Sequence, residues 1–240
     1  MLRSVLRRAG TDRLGLIMEK IDYERNRVLA QCVKRYSELS KLIGNIPCEA
    51  LPGRDFGSFT RDTQERRFNA LVCERFASRL IDRFLAEDQE AAARGICMVG
   101  NSGAGKSHLA SAIYFALCQS EVYPVYLRAS RFFNYFKGAS GREINALIDA
   151  FSRVPCLMLD EVGRSTNSAF ENDTLLDVFD SRIRDGVPTV LIANLRLENL
   201  KAALGEAIAS RAMPHLYTLP FNGSDYRLVK AMPANYKEAF

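Results

Sequence analysis

The sequence predicts an α/β fold, three layers built around a parallel sheet of about five strands and preceded by a small helical region. Three observations carry this. Apolar runs at 96–99, 122–127, 156–160, 187–193 and 216–221 alternate with helical patterns, as βαβ units do. The first run opens directly into a glycine-rich turn, Gly100-Asn101-Ser102-Gly103-Ala104-Gly105-Lys106-Ser107, with a helical pattern behind it. The third run ends in adjacent carboxylates, Asp160-Glu161.

With 240 residues, 48% apolar and 25% charged, the chain suits one large domain or a medium domain with an appendage, and disorder throughout is excluded. No apolar run reaches the roughly 18 residues that span a bilayer, so no membrane partner is expected and a cytoplasmic location is. The six cysteines form no C-x-x-C pair, which argues against structural zinc and a disulfide framework and for a reducing compartment.

The N-terminal stretch is basic. Met1–Thr11 carries Arg3, Arg7 and Arg8 without an acid, and is read as a frayed basic terminus rather than a mitochondrial presequence. Residues 1–44 hold ten Lys or Arg against five Asp or Glu, which equals the net charge of +5 for the whole chain. A basic end of this kind can attract nucleic acid or an acidic partner. From Leu14 to Ile43, apolar positions recur at helical intervals, giving one long or two short amphipathic helices whose stripe must be covered by the chain or by a partner.

Breakers from Ile46-Pro47 to Pro52-Gly53 place a boundary there: a helical region at 1–50, a linker at 51–60 and a nucleotide domain at 61–240. A short aromatic stretch, Asp55-Phe56-Gly57-Ser58-Phe59, precedes a helix expected over Asp62–Glu90. The glycine-rich turn then matches G-x-x-x-x-G-K-[ST] at every fixed position. Its glycines let backbone N–H groups curl inward around phosphate oxygens, while Lys106 reaches the β and γ phosphates and Ser107 offers a hydroxyl to Mg²⁺. The helix expected over Lys106–Gln119, with His108 in its first turn, aims its positive end at the same anion.

Val122–Leu127 reads as the second strand and Ser130 as the cap of the next helix. In Arg131-Phe132-Phe133-Asn134-Tyr135-Phe136-Lys137, four aromatics mix with two cations, a composition suited to stacking on unpaired bases. Four aromatics in six residues exceed one helix face, so some are expected at the surface; a core helix with two solvated cations is the competing reading. A helix at Arg142–Phe151 leads to the Cys156–Asp160 strand, where Asp160 would hold the Mg²⁺ shell and Glu161 would polarise water. Helix Asn172–Arg184 precedes strand Val187–Ala193, which finishes at Asn194, placed to sense a γ-phosphate. Leu197–Leu204 and Glu206–Met213 are helical segments split at Gly205, with Arg211 near the end of the second. Leu216–Phe221 is the fifth strand, and the roughly nineteen residues after it are too few for a helical lid domain.

In this order of motifs the chain resembles the AAA+ ATPases and, more narrowly, the DnaC-type bacterial and phage replicative helicase loaders. The resemblance runs from about Asp55 to Tyr226 and takes in Leu204-Gly205-Glu206, Ser210-Arg211 and Asp225-Tyr226-Arg227. It implies ATP and Mg²⁺ as cofactors, a sensor role for Asn194, an arginine finger at Arg211 acting on a neighbouring copy, and adenine near Phe56 and Phe59. It further implies single-stranded DNA on the Arg131–Lys137 helix, a ring helicase held by the N-terminal region, and self-association through the ATP interface. Two departures stand out: Ala207 occupies a position where loaders often carry a second Arg, and no second sensor Arg is evident in the tail. Two other functions fit the same module, an IstB-like transposition helper on duplex DNA and a nucleotide-gated adaptor with little turnover.

Overall fold

The computed structural model describes residues 27, 30–86, 95–163 and 168–226. The first part of the helical stretch expected over Leu14–Ile43, most of the basic terminus and Arg227 lie outside them. Helix α1 covers 30–43. After a connecting strap come α2 (Gln64–Ala86), β1 (Gly95–Gly100), α3 (Lys106–Gln119), β2 (Val125–Arg128), α4 (Ala129–Phe136), α5 (Gly141–Arg153), β3 (Leu157–Asp160) and α6 (Ala169–Arg184). They are followed by β4 (Thr189–Ala193), α7 (Leu197–Leu204), α8 (Glu206–Ala212), a 3₁₀ turn at Met213–His215 and β5 (Leu216–Phe221).

The sheet is five-stranded in the order β2-β3-β4-β1-β5, with every neighbouring pair parallel. Because side chains alternate across a strand, each strand feeds two cores. Cys97, Val99, Leu127, Leu157, Leu159 and Leu191 point to one side with α4 to α8, whereas Met98, Tyr126, Met158, Val190 and Leu219 point to the other with α2 and α3. These are the three expected layers.

Local chemistry sets the element ends. Thr63 caps α2 by accepting the Arg66 N–H at 3.2 Å, and Ser140 with Glu143 forms a capping box on α5. The second strand starts three residues later than expected, because Glu121, at φ 62°, turns the chain and the Val122 N–H still bonds to Leu117. The fourth starts two residues late because the Val187 N–H closes onto the Arg182 carbonyl. Ser130 is not a cap; α4 begins at Ala129.

The described part of the N-terminal region is not a separate body. Leu39 of α1 and Ile46 are buried in the core shared with α4 to α8, and Ala50 in the core on the other side. The strap between α1 and α2 meets the β2 edge just before residues 51–60, where the Glu49 N–H bonds to the Tyr126 carbonyl at 3.3 Å. Helix α1 leaves Val33 and Leu42 exposed.

Candidate nucleotide and magnesium site

The phosphate loop leaves β1 at its carboxyl end and is shaped by contacts on both flanks. Gly100, at φ 139°, passes so close to β5 that a Cβ there would lie 2.0 Å from the Phe221 carbonyl oxygen. Only glycine meets both demands. Gly105, at φ 107°, brings the loop against the Phe59 ring, 2.7 Å from where a Cβ would sit. The residues after β5 wrap the same loop: the Asn101 N–H bonds to Phe221 at 3.0 Å, the Tyr226 N–H bonds to Gly103 at 3.1 Å, and the Asp225 carboxylate packs on Gly103. Ser102 and Ala104 complete the turn.

Lys106 opens α3, is 3% exposed, and donates from Nζ to the Gly100 carbonyl at 2.8 Å and the Asn101 carbonyl at 2.6 Å. A buried ammonium resting on carbonyls at the mouth of a helix N-terminus is matched to an anion. Ser107 Oγ donates to Asp160 Oδ2 at 2.8 Å, joining the loop to the end of β3. The Tyr126 hydroxyl donates to the same oxygen at 2.9 Å, and the Glu161 N–H donates to Oδ1 at 2.7 Å. A hydroxyl and a buried carboxylate in contact are hard oxygen donors of the kind Mg²⁺ takes, so the residues present fit the metal as the loop fits the phosphates. Glu161 is held at φ +58°, a strained setting for a non-glycine residue and one that clusters at functional sites.

Strand β4 lies between β3 and β1, so Asn194, which follows it and is exposed, stands between the acid pair and the loop at one strand spacing from each, about 5 Å. Phe59 is 4% exposed and meets His108 edge-on at 5.1 Å between centroids. His108 Nε2 lies 3.0 Å from the Asp55 carbonyl, and burial lowers its pKa. Phe56 packs partly buried beside this group.

Other expected residues lie elsewhere. Arg211 lies in the last turn of α8, before β5 begins, and pairs with Asp180 at 2.7 Å. Strand β5 starts beside Gly95 and ends beside Gly100, so about 20 Å of strand separates Arg211 from the loop of its own chain. The aromatic helix corrects the sequence reading: Phe132, Phe133 and Phe136 are buried, Phe132 and Phe136 against the Phe151 ring and Phe133 against Phe132, and cannot stack on bases. At about 100° per residue those three positions fall within one arc of roughly 100°. Tyr135 is partly buried, and Arg131, Asn134 and Lys137 form the outer stripe. Arg131 pairs with Glu49 at 3.2 Å and Lys137 with Glu171 at 3.5 Å.

Sequence reasoning missed three residues at the site. Arg66 is sandwiched between Phe59 and Tyr226, its guanidinium carbon 4.6 and 4.5 Å from the two centroids. Tyr126 looked like an ordinary strand residue, and its bond to Asp160 spans 34 positions. The segment after β5, Asn222-Gly223-Ser224-Asp225, gave no sign that Tyr226 returns to Gly103.

A sheet in this strand order, with its phosphate loop after β1 and an acid pair two strands away, is the AAA+ form of the P-loop NTPase fold, and the chain is of that class. Its family is narrower. Residues 58–234 match the model of the IstB-like ATP binding protein family, and the chain belongs to that family. It is 32% identical over 133 residues to the replicative helicase loader DnaC of Buchnera aphidicola subsp. Baizongia pistaciae, covering 53% of this chain and 54% of that protein. Against the DnaC loader of Escherichia coli K12 the identity is 28% over 132 residues with the same coverage. The chain thus spans about half the length of the curated relatives it matches. A crystal structure of the DnaC helicase loader superposes with TM-score 0.61 at 16% identity, over 73% of this chain and 100% of that one. Replication initiator DnaA bound to AMPPCP and single-stranded DNA gives 0.63 at 14%, over 80% and 60%. Likenesses at these identities establish the fold.

Proposed function

We propose that the protein is an ATP-dependent helicase loader. It binds a replicative ring helicase through its N-terminal region, residues 1–50, delivers the ring onto single-stranded DNA, and uses ATP hydrolysis as the release switch. The observation that carries the catalytic part is the Ser107–Asp160 contact beside Glu161. Lys106 and the loop N–H groups bind the phosphates, Ser107 and Asp160 hold Mg²⁺, Glu161 orients the attacking water, and Asn194 senses the γ-phosphate. Bound Mg²⁺ supplies neutralisation of the charge on the transferred phosphate. Arg211 supplies its charge to a neighbouring copy, and Phe56 and Phe59 flank the base. DNA phosphates meet Arg131 and Lys137, with Tyr135 as the accessible ring. Val33 and Leu42, exposed on α1, extend the helicase-binding surface.

The test is co-purification of the full chain with a ring helicase, combined with ATP turnover in its presence. Wild type is expected to bind the helicase and release it on hydrolysis, and Glu161→Gln to bind and remain bound. Release by Glu161→Gln at the wild-type rate would favour the nucleotide-gated adaptor. The family match keeps a second reading in play, a transposition helper. That protein would prefer duplex over single-stranded DNA and ignore the helicase.

A further inference from the structure

The Asp160 carboxylate carries more than a magnesium site requires of its own two residues. Three donors converge on it: Ser107 Oγ and the Tyr126 hydroxyl on Oδ2, at 2.8 and 2.9 Å, and the Glu161 N–H on Oδ1, at 2.7 Å. Two of these belong to the motifs. The third comes from β2, the outer strand of the sheet, across 34 positions of sequence.

Tyr126 is 1% exposed and lies in the core with α2 and α3. A buried phenol needs a partner for its proton, and here that partner is the carboxylate that would hold the metal. The Tyr126 backbone is also pinned from outside the sheet by the Glu49 N–H. Two residues on, the same strap holds Ser111 through the Leu51 N–H at 2.9 Å, and Ser111 Oγ donates to the Ser107 carbonyl at 2.7 Å. Both oxygen donors to the metal are thus braced by side chains outside the motifs.

We infer that Tyr126 is a positioning residue for the magnesium site, fixing the Asp160 carboxylate in the orientation in which it takes its place in the Mg²⁺ shell. The inference rests on the nucleotide reading of the site. Outer-shell partners of metal ligands are worth about 10–100-fold in metal affinity. Loss of this one acts on the metal and leaves the loop's grip on phosphate intact.

The experiment measures binding of a fluorescent ATP analogue to the full chain, first in EDTA and then across a Mg²⁺ titration. Tyr126→Phe is expected to match wild type in EDTA and to need about tenfold more Mg²⁺ for half-maximal effect. An unchanged Mg²⁺ midpoint overturns the inference, and so does an equal loss of affinity with and without Mg²⁺, since that marks general support of the core. A wild-type chain that binds no nucleotide overturns instead the reading of the site beneath it. If the Phe variant does not fold, ¹⁹F spectra of fluorotyrosine-labelled wild type decide: a buried tyrosine signal that shifts on adding Mg²⁺ to the nucleotide complex supports the role, and the absence of any such shift refutes it.

Discussion

Replacing Glu161 with glycine should stabilise the protein while abolishing its chemistry. Glu161 stands at φ +58°, and a left-handed conformation costs an L-residue about 1–2 kcal/mol. Glycine removes that cost but returns about 0.5–1 kcal/mol through its greater freedom in the unfolded chain. The balance is about 1 kcal/mol in favour of Glu161→Gly, or about 2–4 °C in melting temperature for a chain of this size. The proper control is Glu161→Gln, which loses the same charge and keeps the strained backbone. Urea denaturation of the two variants without nucleotide isolates the backbone contribution, and turnover should fall about 10²–10⁴-fold in both. A Gly variant no more stable than the Gln variant refutes the strain argument. A Gly variant that turns over ATP like wild type removes the Glu161 carboxylate from the reaction.

Four further outcomes are expected. Arg182 is fully buried and donates to the Phe151, Ser152, Val154 and Pro188 carbonyls and to Thr189 Oγ1, so it caps the buried end of α5; burial pushes its pKa down to about 10, which leaves it charged at neutral pH. Arg182→Met strands those carbonyls and should cost about 3–5 kcal/mol in urea denaturation, a loss below about 1 kcal/mol counting against the cap. Burial holds His108 below its ordinary pKa of 6.5, so its contribution to stability is complete above pH 6.5 and is lost as pH falls through the lower folded value. Between about pH 7 and pH 5.5, wild type should lose stability faster than His108→Gln, and equal slopes refute the assignment. Glu49→Gln frees Arg131 from its 3.2 Å ion pair and should raise single-stranded DNA affinity a few fold while steepening the salt dependence by about 0.7 in log–log slope; unchanged binding places DNA elsewhere. Lys106→Ala and Arg211→Ala should each be inactive alone, but an equal mixture should regain about a quarter of the active interfaces, whereas a finger acting in cis regains none.

What the sequence made legible follows from how local each signal is. The helix at Lys106–Gln119, the strand at Leu216–Phe221 and the split at Gly205 match the structure residue for residue or nearly so, because glycines, caps and apolar runs act over a few positions. The aromatic helix misled for a geometric reason: Phe132, Phe133 and Phe136 are close in number, yet share one arc that is buried in the core beside Phe151. Arg182 lies in the last turn of α6, and nothing in its sequence neighbourhood reveals that the end of α5, about 30 residues away in sequence, is within reach in space. Tyr126, Arg66 and Tyr226 belong to the same kind, side chains whose partners are set by the strand order and by no spacing.

The same strand order bears on why one chain alone makes an incomplete catalyst under the loader reading. Everything that grips phosphate and metal gathers at the carboxyl ends of β1, β3 and β4, whereas Arg211 sits at the opposite end of β5 with its guanidinium on Asp180. Motion within one chain cannot close that gap, because the strand between them is paired to β1 along its whole length. A second copy can close it, by a head-to-tail contact that sets the Arg211 end of one chain on the loop end of the next. Such a contact is heterologous and propagates into a ring or spiral. ATP then lies at a boundary between copies, and its hydrolysis removes the group that both sides grip. Turnover in this arrangement tracks assembly, so a slow solitary chain and a faster assembled one are two consequences of a single geometry.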